Sequence, residues 1–305
     1  MHWIVPFAAP LTEAGREALA TLDLPGLDAL AATGPQAAHE SADAFTPHPP
    51  HERALARALG WAVADDAPLP WAARAARADG LDVGALAWGL LTPVHWRAGR
   101  DAVHLVDPGE LALDSAESRT LFEAARPLFE SEGVALHWAA PLRWYAAHAS
   151  LATLATASLD RVVGRNVDAW LPAQREARWL RRLQNEVQML WHTHPLNAQR
   201  EARGQLPVNS FWLSGCGVAQ AEAAAEVRLD ERLRAPALAE DWAAWRTAWA
   251  ALDRERVAAR DFTRLTLCGE RGSITFEARA VSWRQRLVRA FVSPRGRARA
   301  VLEAL

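Results

Sequence analysis

Residues 183–217, LQNEVQMLWHTHPLNAQREARGQLPVNSFWLSGCG, constrain the fold of this chain more than any other stretch. Leu183, Val187 and Leu190 recur at helical spacing. His194-Pro195 then interrupts the pattern, because proline lacks an N–H and disfavours a helical residue before it. A polar turn carrying Asn197, Arg200 and Gly204 is expected next, followed by an apolar strand over 208–213 that ends in Ser214-Gly215-Cys216-Gly217. A helix, a polar loop and a strand ending in small residues is how α/β sheets present ligand sites at strand C-termini.

The remainder of the chain supports an α/β reading. An apolar run over 2–7 reads as a strand, and Thr12 caps a helix over 13–22. Pro25 opens a short helix, the Gly-, Pro-, Ser- and His-rich residues 33–50 read as a loop, and helices follow over 51–59 and 70–79. Residues 83–91 are strand-like; a hairpin turn over 95–100 leads to a return strand over 102–106. Asp114-x-x-Glu117 resembles a capping box, and Leu121, Phe122, Ala125, Leu128 and Phe129 give that helix one apolar face. Strands over 134–138 and 142–146 complete a β-β-α-β-β unit. Helices return from 171, and 218–236 reads as a loop or frayed helix. Trp242, Trp245, Trp249 and Leu252 stripe a core-facing helix over 239–258. A hairpin flanks Gly269-Glu270-Arg271-Gly272, and a basic helix over 283–291 precedes a tail with Arg295, Arg297 and Arg299. The expected fold is α/β: a central, mostly parallel sheet with helices on both faces, formed by 1–82 and 151–305, with 83–150 as an inserted α+β subdomain.

Composition removes several function classes. The chain has 305 residues, half of them hydrophobic, and a net charge of −2, so no global charge draws it to nucleic acid or to a membrane. All 34 basic residues are arginine, which excludes lysine-based Schiff-base chemistry and with it pyridoxal phosphate enzymes. Cys216 and Cys268 stand far apart with no CxxC spacing, which suits free thiols in a cytoplasmic protein. The longest apolar stretch, 83–91, is too short to span a bilayer, and the N-terminal residues lack the pattern of a signal peptide. His48, His51 and the His192/His194 pair are candidate metal ligands, and Arg175, Arg178 and Arg182 a candidate anion-binding stripe. Exposed loop histidines and a solvated helix face are the simpler readings.

Three segments together resemble the archaeal-type cofactor-independent phosphoglycerate mutases of the alkaline phosphatase superfamily. Leu24-Pro25-Gly26-Leu27-Asp28-Ala29-Leu30 is similar to that family's TPNLD-x-L, and Arg97-Ala98-Gly99-Arg100 to its DRRAGR hairpin. His194-Pro195-Leu196-Asn197-x-x-Arg200, with Gly204, Pro207, Asn209 and Gly215-x-Gly217, resembles HPVN-x-x-R…GK-x-PAN…G-x-G. Order and spacing agree across 1–217. Over the whole chain, PPHERALARALGW, LLTPVHWRAGRDAVHL, LFESEG and LQNEVQML…HP…NSFWLSGCG resemble a proteobacterial group known as phosphoglycerate-mutase-like or RpfE-type regulatory proteins.

The resemblance implies an alkaline-phosphatase-like sheet, but the chain departs from the family where catalysis would occur. Those enzymes hold two metal ions with several Asp and His residues beside a Ser or Thr nucleophile. Their first strand ends in an Asp-Gly-type motif; here it ends Pro6-Phe7-Ala8-Ala9-Pro10, and no histidine follows residue 196. The expectation is therefore a catalytically degenerate, regulatory relative, with no catalytic residue, metal or cofactor. Arg97, Arg100, His194, Asn197, Arg200, Asn209 and Ser214 are its candidate ligand-binding residues. A small phosphorylated or carboxylated metabolite or a protein is the expected partner. An active mutase or phosphatase with a rearranged site and a nucleic-acid-associated adaptor are the alternatives.

Overall fold

A computed structural model of the chain describes residues 1–305 apart from 33–35, 44, 66, 173, 175–176 and 278–295. In chain order the elements are β1 (His2–Val5), α1 (Glu13–Ala20), α2 (Pro25–Ala31), β2 (Gln36–Ser41), α3 (Pro50–Ala58) and α4 (Trp71–Ala78). Next come β3 (Ala87–Val94), β4 (Trp96–Ala98), β5 (Val103–Leu105), α5 (Ser115–Ser131), β6 (Ala135–Ala140) and β7 (Arg143–Ala147). Then follow α6 (Leu159–Val162), α7 (Arg178–His192), α8 (Pro195–Ala202), β8 (Ser210–Val218), β9 (Val227–Leu229) and α9 (Arg234–Leu238). The chain closes with α10 (Trp242–Leu252), a π-helical turn (Asp253–Val257), β10 (Arg264–Cys268), β11 (Gly272–Glu277) and α11 (Arg297–Glu303). Among the described residues no helix is long and apolar enough to cross a membrane.

Two compact units result, one from 1–44, 49–62 and 222–305, the other from 45–48 and 63–221. The first carries a five-stranded sheet in the order β2-β11-β10-β1-β9. β1 pairs in parallel with both neighbours, and β11 and β2 add antiparallel strands at one edge. Alternation decides its faces. Trp3, Val5, Leu265 and Leu267 point to one core with Leu27, Trp245, Trp249 and Leu302 from α2, α10 and α11, while α3 covers the opposite face. The α/β class is thus as expected, with helices on both faces of a sheet that is parallel from β10 through β1 to β9. β2 was not expected: residues 33–50 read as a loop because QAAHES has little strand propensity, and the edge of β11 recruits it.

The second unit carries an antiparallel sheet in the order β6-β7-β3-β8. It is wider than the expected 83–150 insertion, because β8 arrives from residue 210 to pair along β3 from Ala87 to Val94. α5 and α7 cover one face, where Leu121, Phe122, Phe129, Leu183, Val187 and Trp191 meet Leu91, Trp144 and Phe211. α4 covers the other with Ala72, Ala73 and Ala76 against Trp88 and Tyr145.

Three further expectations change. Pro195 does not introduce a polar turn; it occupies the first turn of α8, where a missing N–H costs nothing. Residues 218–236 contain β9 and the start of α9. Ser214-Gly215-Cys216-Gly217 lies inside β8 and is buried, not at a strand end facing a ligand. A Cβ at Gly215 would sit 3.0 Å from the Ala72 nitrogen, and one at Gly217 would sit 3.1 Å from Pro70 Cβ, so these glycines let α4 approach the sheet. The expected basic helix over 283–291, Arg175 and Arg295 lie outside the described residues.

Trp249 is fully buried and its Nε1 donates to the Ala8 carbonyl at 3.1 Å. Trp249→Ala should therefore destabilise the first unit by about 3–5 kcal/mol, read from the urea midpoint at constant m-value.

Candidate functional site

The strongest sequence motif folds into a buried clamp. Asn197, on α8, is 4 % exposed. Its Nδ2 donates to the carbonyls of Trp191 and Val208, both at 2.8 Å, and its Oδ1 accepts from Val208 N at 2.9 Å. One amide thus ties the end of α7 to the segment entering β8. Asn209 does the same for the next connection: Oδ1 accepts from Trp96 N at 2.7 Å and Nδ2 donates to Trp96 O at 2.9 Å. Side-chain amides commonly substitute for backbone pairing where strands and turns meet.

Arg200 is fully buried. Its guanidinium pairs with Glu117 and donates to the Leu111 carbonyl, while Nε donates to Leu206 O at 2.9 Å. Glu117 also pairs with the half-exposed Arg203. Asp114 caps α5 by accepting from Ala116 N and Glu117 N, both at 2.8 Å, so the capping-box spacing is real only in its first half. The Glu117 carboxylate leaves its own helix start and joins α5 to α8.

Five of the seven candidate residues are engaged inside the protein. Asn197, Arg200 and Asn209 have spent their polar atoms on internal partners, and a ligand would have to displace buried hydrogen bonds to reach them. His194 caps α8, its Nδ1 accepting from Leu196 N at 3.2 Å. Ser214 is 6 % exposed and lies within β8 opposite Leu90. Arg97 and Arg100 are different. Arg97 is on β4 across from His104, Arg100 is at the hairpin tip, and both are exposed. Among the described residues neither side chain makes an ion pair or hydrogen bond.

Two of the candidate metal-ligand histidines, His48 and His51, sit in packed surroundings. His48 is 1 % exposed, not a solvated loop residue, and its Nε2 lies 3.1 Å from the Ala67 carbonyl. The His51 ring packs 5.7 Å from that of Phe7. Among the described residues no group of three or more His, Cys, Asp and Glu could hold a metal ion.

The C-terminal end of β1 is where α/β sheets place ligands, and here it is filled. Phe7 has φ 57°. Trp245 Nε1 donates to its carbonyl at 3.0 Å, beside the matching bond from Trp249 to Ala8. Ala8 N donates to Cys268 O at 2.8 Å. Both indoles are fully buried. Apolar side chains and carbonyls already taken by indole N–H groups do not fit a pair of divalent metals. The sequence hinted at this through Pro6-Phe7-Ala8-Ala9-Pro10; that Trp245 and Trp249 fill the space came only with the tertiary structure.

No protein-family model matches this chain, and no curated protein matches it. Two solved structures are similar. One is the cofactor-independent phosphoglycerate mutase from Thermoplasma acidophilum DSM 1728, at 11 % identity and TM-score 0.37, covering 91 % of this chain and 89 % of that one. The other is the PH0037 protein from Pyrococcus horikoshii, at 14 % identity and TM-score 0.45, covering 92 % and 87 %.

Arg200→Ala should cost about 3–5 kcal/mol, because it strands the Glu117 carboxylate in a buried position, whereas Arg97→Ala should stay within about 0.5 kcal/mol. Chemical denaturation of both variants measures the contrast. Burial pushes the Cys216 thiol up to about 12, against a smaller opposing effect of the Thr156 hydroxyl. Cys268 is raised in the same direction by burial. Neither thiol should react with a disulfide reagent at pH 8 in the native protein, and both should react on addition of denaturant.

Proposed function

We propose that this protein is a catalytically degenerate phosphoglycerate-mutase-like protein that binds a small phosphorylated or carboxylated metabolite and acts in regulation, not turnover. The observation that carries this reading is the filled end of β1, where Trp245 and Trp249 occupy the space and bind the carbonyls of Phe7 and Ala8. The residues that resemble the mutase motifs support it from the other side. Asn197, Arg200 and Asn209 persist as architecture, holding α8, β8 and the β4 hairpin in place.

A scaffold that keeps its internal clamps while apolar side chains take the catalytic position is what loss of chemistry without loss of fold would leave. The exposed Arg97 and Arg100 are the two motif residues still able to meet an anion, and arginine suits both phosphate and carboxylate through its planar fork.

The test pairs a binding assay with an activity assay. 3-Phosphoglycerate should raise the melting temperature in a concentration-dependent way. An Arg97→Gln/Arg100→Gln double variant should weaken that shift at least tenfold in midpoint concentration. With magnesium, manganese, cobalt or zinc added, no interconversion of 2- and 3-phosphoglycerate should appear. Metal-dependent turnover would overturn the reading in favour of an active mutase, and a ligand shift indifferent to the hairpin arginines would remove them from the site.

A further inference from the structure

The face of the first sheet covered by α3 is polar where a packed core would be aliphatic. His2 from β1, Arg264 and Thr266 from β10, and Ser273 and Thr275 from β11 share this face. Thr266, Ser273 and Thr275 are buried at 1 %, 4 % and 7 % exposure. A chain of hydrogen bonds crosses three strands, from His2 Nε2 to Thr266 Oγ1 at 2.8 Å and on to Thr275 Oγ1 at 2.9 Å.

The helix above does not fill the space over these hydroxyls. α3 presents Ala54 and Ala58, β2 presents Ala38, and a pocket of about 90 Å³ remains. Interiors otherwise pack like organic crystals, and one water needs only about 10–15 Å³ by this measure, so the space admits a molecule of several non-hydrogen atoms. The rim is charged. Arg57 from α3 lies beside Glu40 from β2, and the exposed Arg264 stands next to His2. With Arg57 and Glu40 offsetting each other, Arg264 leaves the pocket cationic. The cationic field is also felt by His2: burial, the Arg264 charge and the N-terminal amine together lower its pKa to about 4.

We propose that this pocket binds a tetrahedral oxyanion, a phosphate or phosphoryl group, with Arg264 at the rim and the Thr275 and Ser273 hydroxyls beneath it. Buried hydroxyls supply short, directional donors, and arginine supplies charge-assisted ones. The site belongs to the first unit alone and owes nothing to the Arg97 and Arg100 hairpin, so it goes beyond the function proposed above.

The test is an NMR titration of the full chain with inorganic phosphate at pH 7 and constant ionic strength, following the His2 imidazole, with acetate in a parallel series. Phosphate should shift the His2 resonances saturably and acetate should not. Arg264→Gln, an exposed substitution, should raise the phosphate midpoint at least tenfold. Thr275→Val, close to isosteric, should raise it as well, with an unchanged backbone spectrum elsewhere in both variants. The Arg97→Gln/Arg100→Gln double variant should titrate as the natural sequence does, which separates this site from the hairpin. A linear, unsaturable response, an equal response to acetate, or a midpoint indifferent to Arg264→Gln would each overturn the assignment.

Discussion

The buried pair of Arg200 and Glu117 is the interaction on which the second unit most depends. A fully buried guanidinium is tolerated only if its donors are matched, and here a carboxylate and two carbonyls match them. The consequence is mechanical. α5 starts where Asp114 caps it, α8 starts where Pro195 opens it, and Glu117 and Arg200 bind the two together while Asn197 and Asn209 hold the chain leading into β8. β8 then aligns along β3, and its two glycines admit α4 on the far side. A run of residues that looks like a ligand motif is thereby spent on positioning a strand.

The first unit is organised by a different constraint. β1 is short, lies between β10 and the edge strand β9 and runs parallel to both, so its end would ordinarily open toward a ligand. Two tryptophans from α10 close it, each satisfying a strand-end carbonyl with an indole N–H while burying a large apolar ring. Room for polar chemistry is left instead on the α3 face, where alanines face threonine and serine hydroxyls. The two faces of one sheet thus differ because period-two alternation sends Trp3, Val5, Leu265 and Leu267 one way and His2 and Thr266 the other.

Much of the secondary structure was legible in the sequence. The Asp114 start, the apolar face of α5, the tryptophan stripe of α10, the β4 and β10 hairpins and the proline opening α2 follow from capping, periodicity and turn chemistry that act within a few residues. The α/β class follows from their order. Local rules could not supply β2, whose six residues become a strand only because β11 offers an edge, or the reach of β8 across the second unit. Nor could they assign Glu117, which by spacing belonged to its own helix start and by geometry belongs to Arg200 and Arg203.

The sequence by itself determined where helices begin, which faces are apolar, and that lysine chemistry and an Asp-Gly ligand at the end of the first strand are absent from this chain. Tertiary structure alone decided what the polar motif residues do. A side chain's type shows which bonds it can make, but whether an arginine meets solvent or a buried carboxylate depends on partners 83 residues away, as Arg200 does on Glu117. That pairing is a property of packing between elements, and no local pattern encodes it.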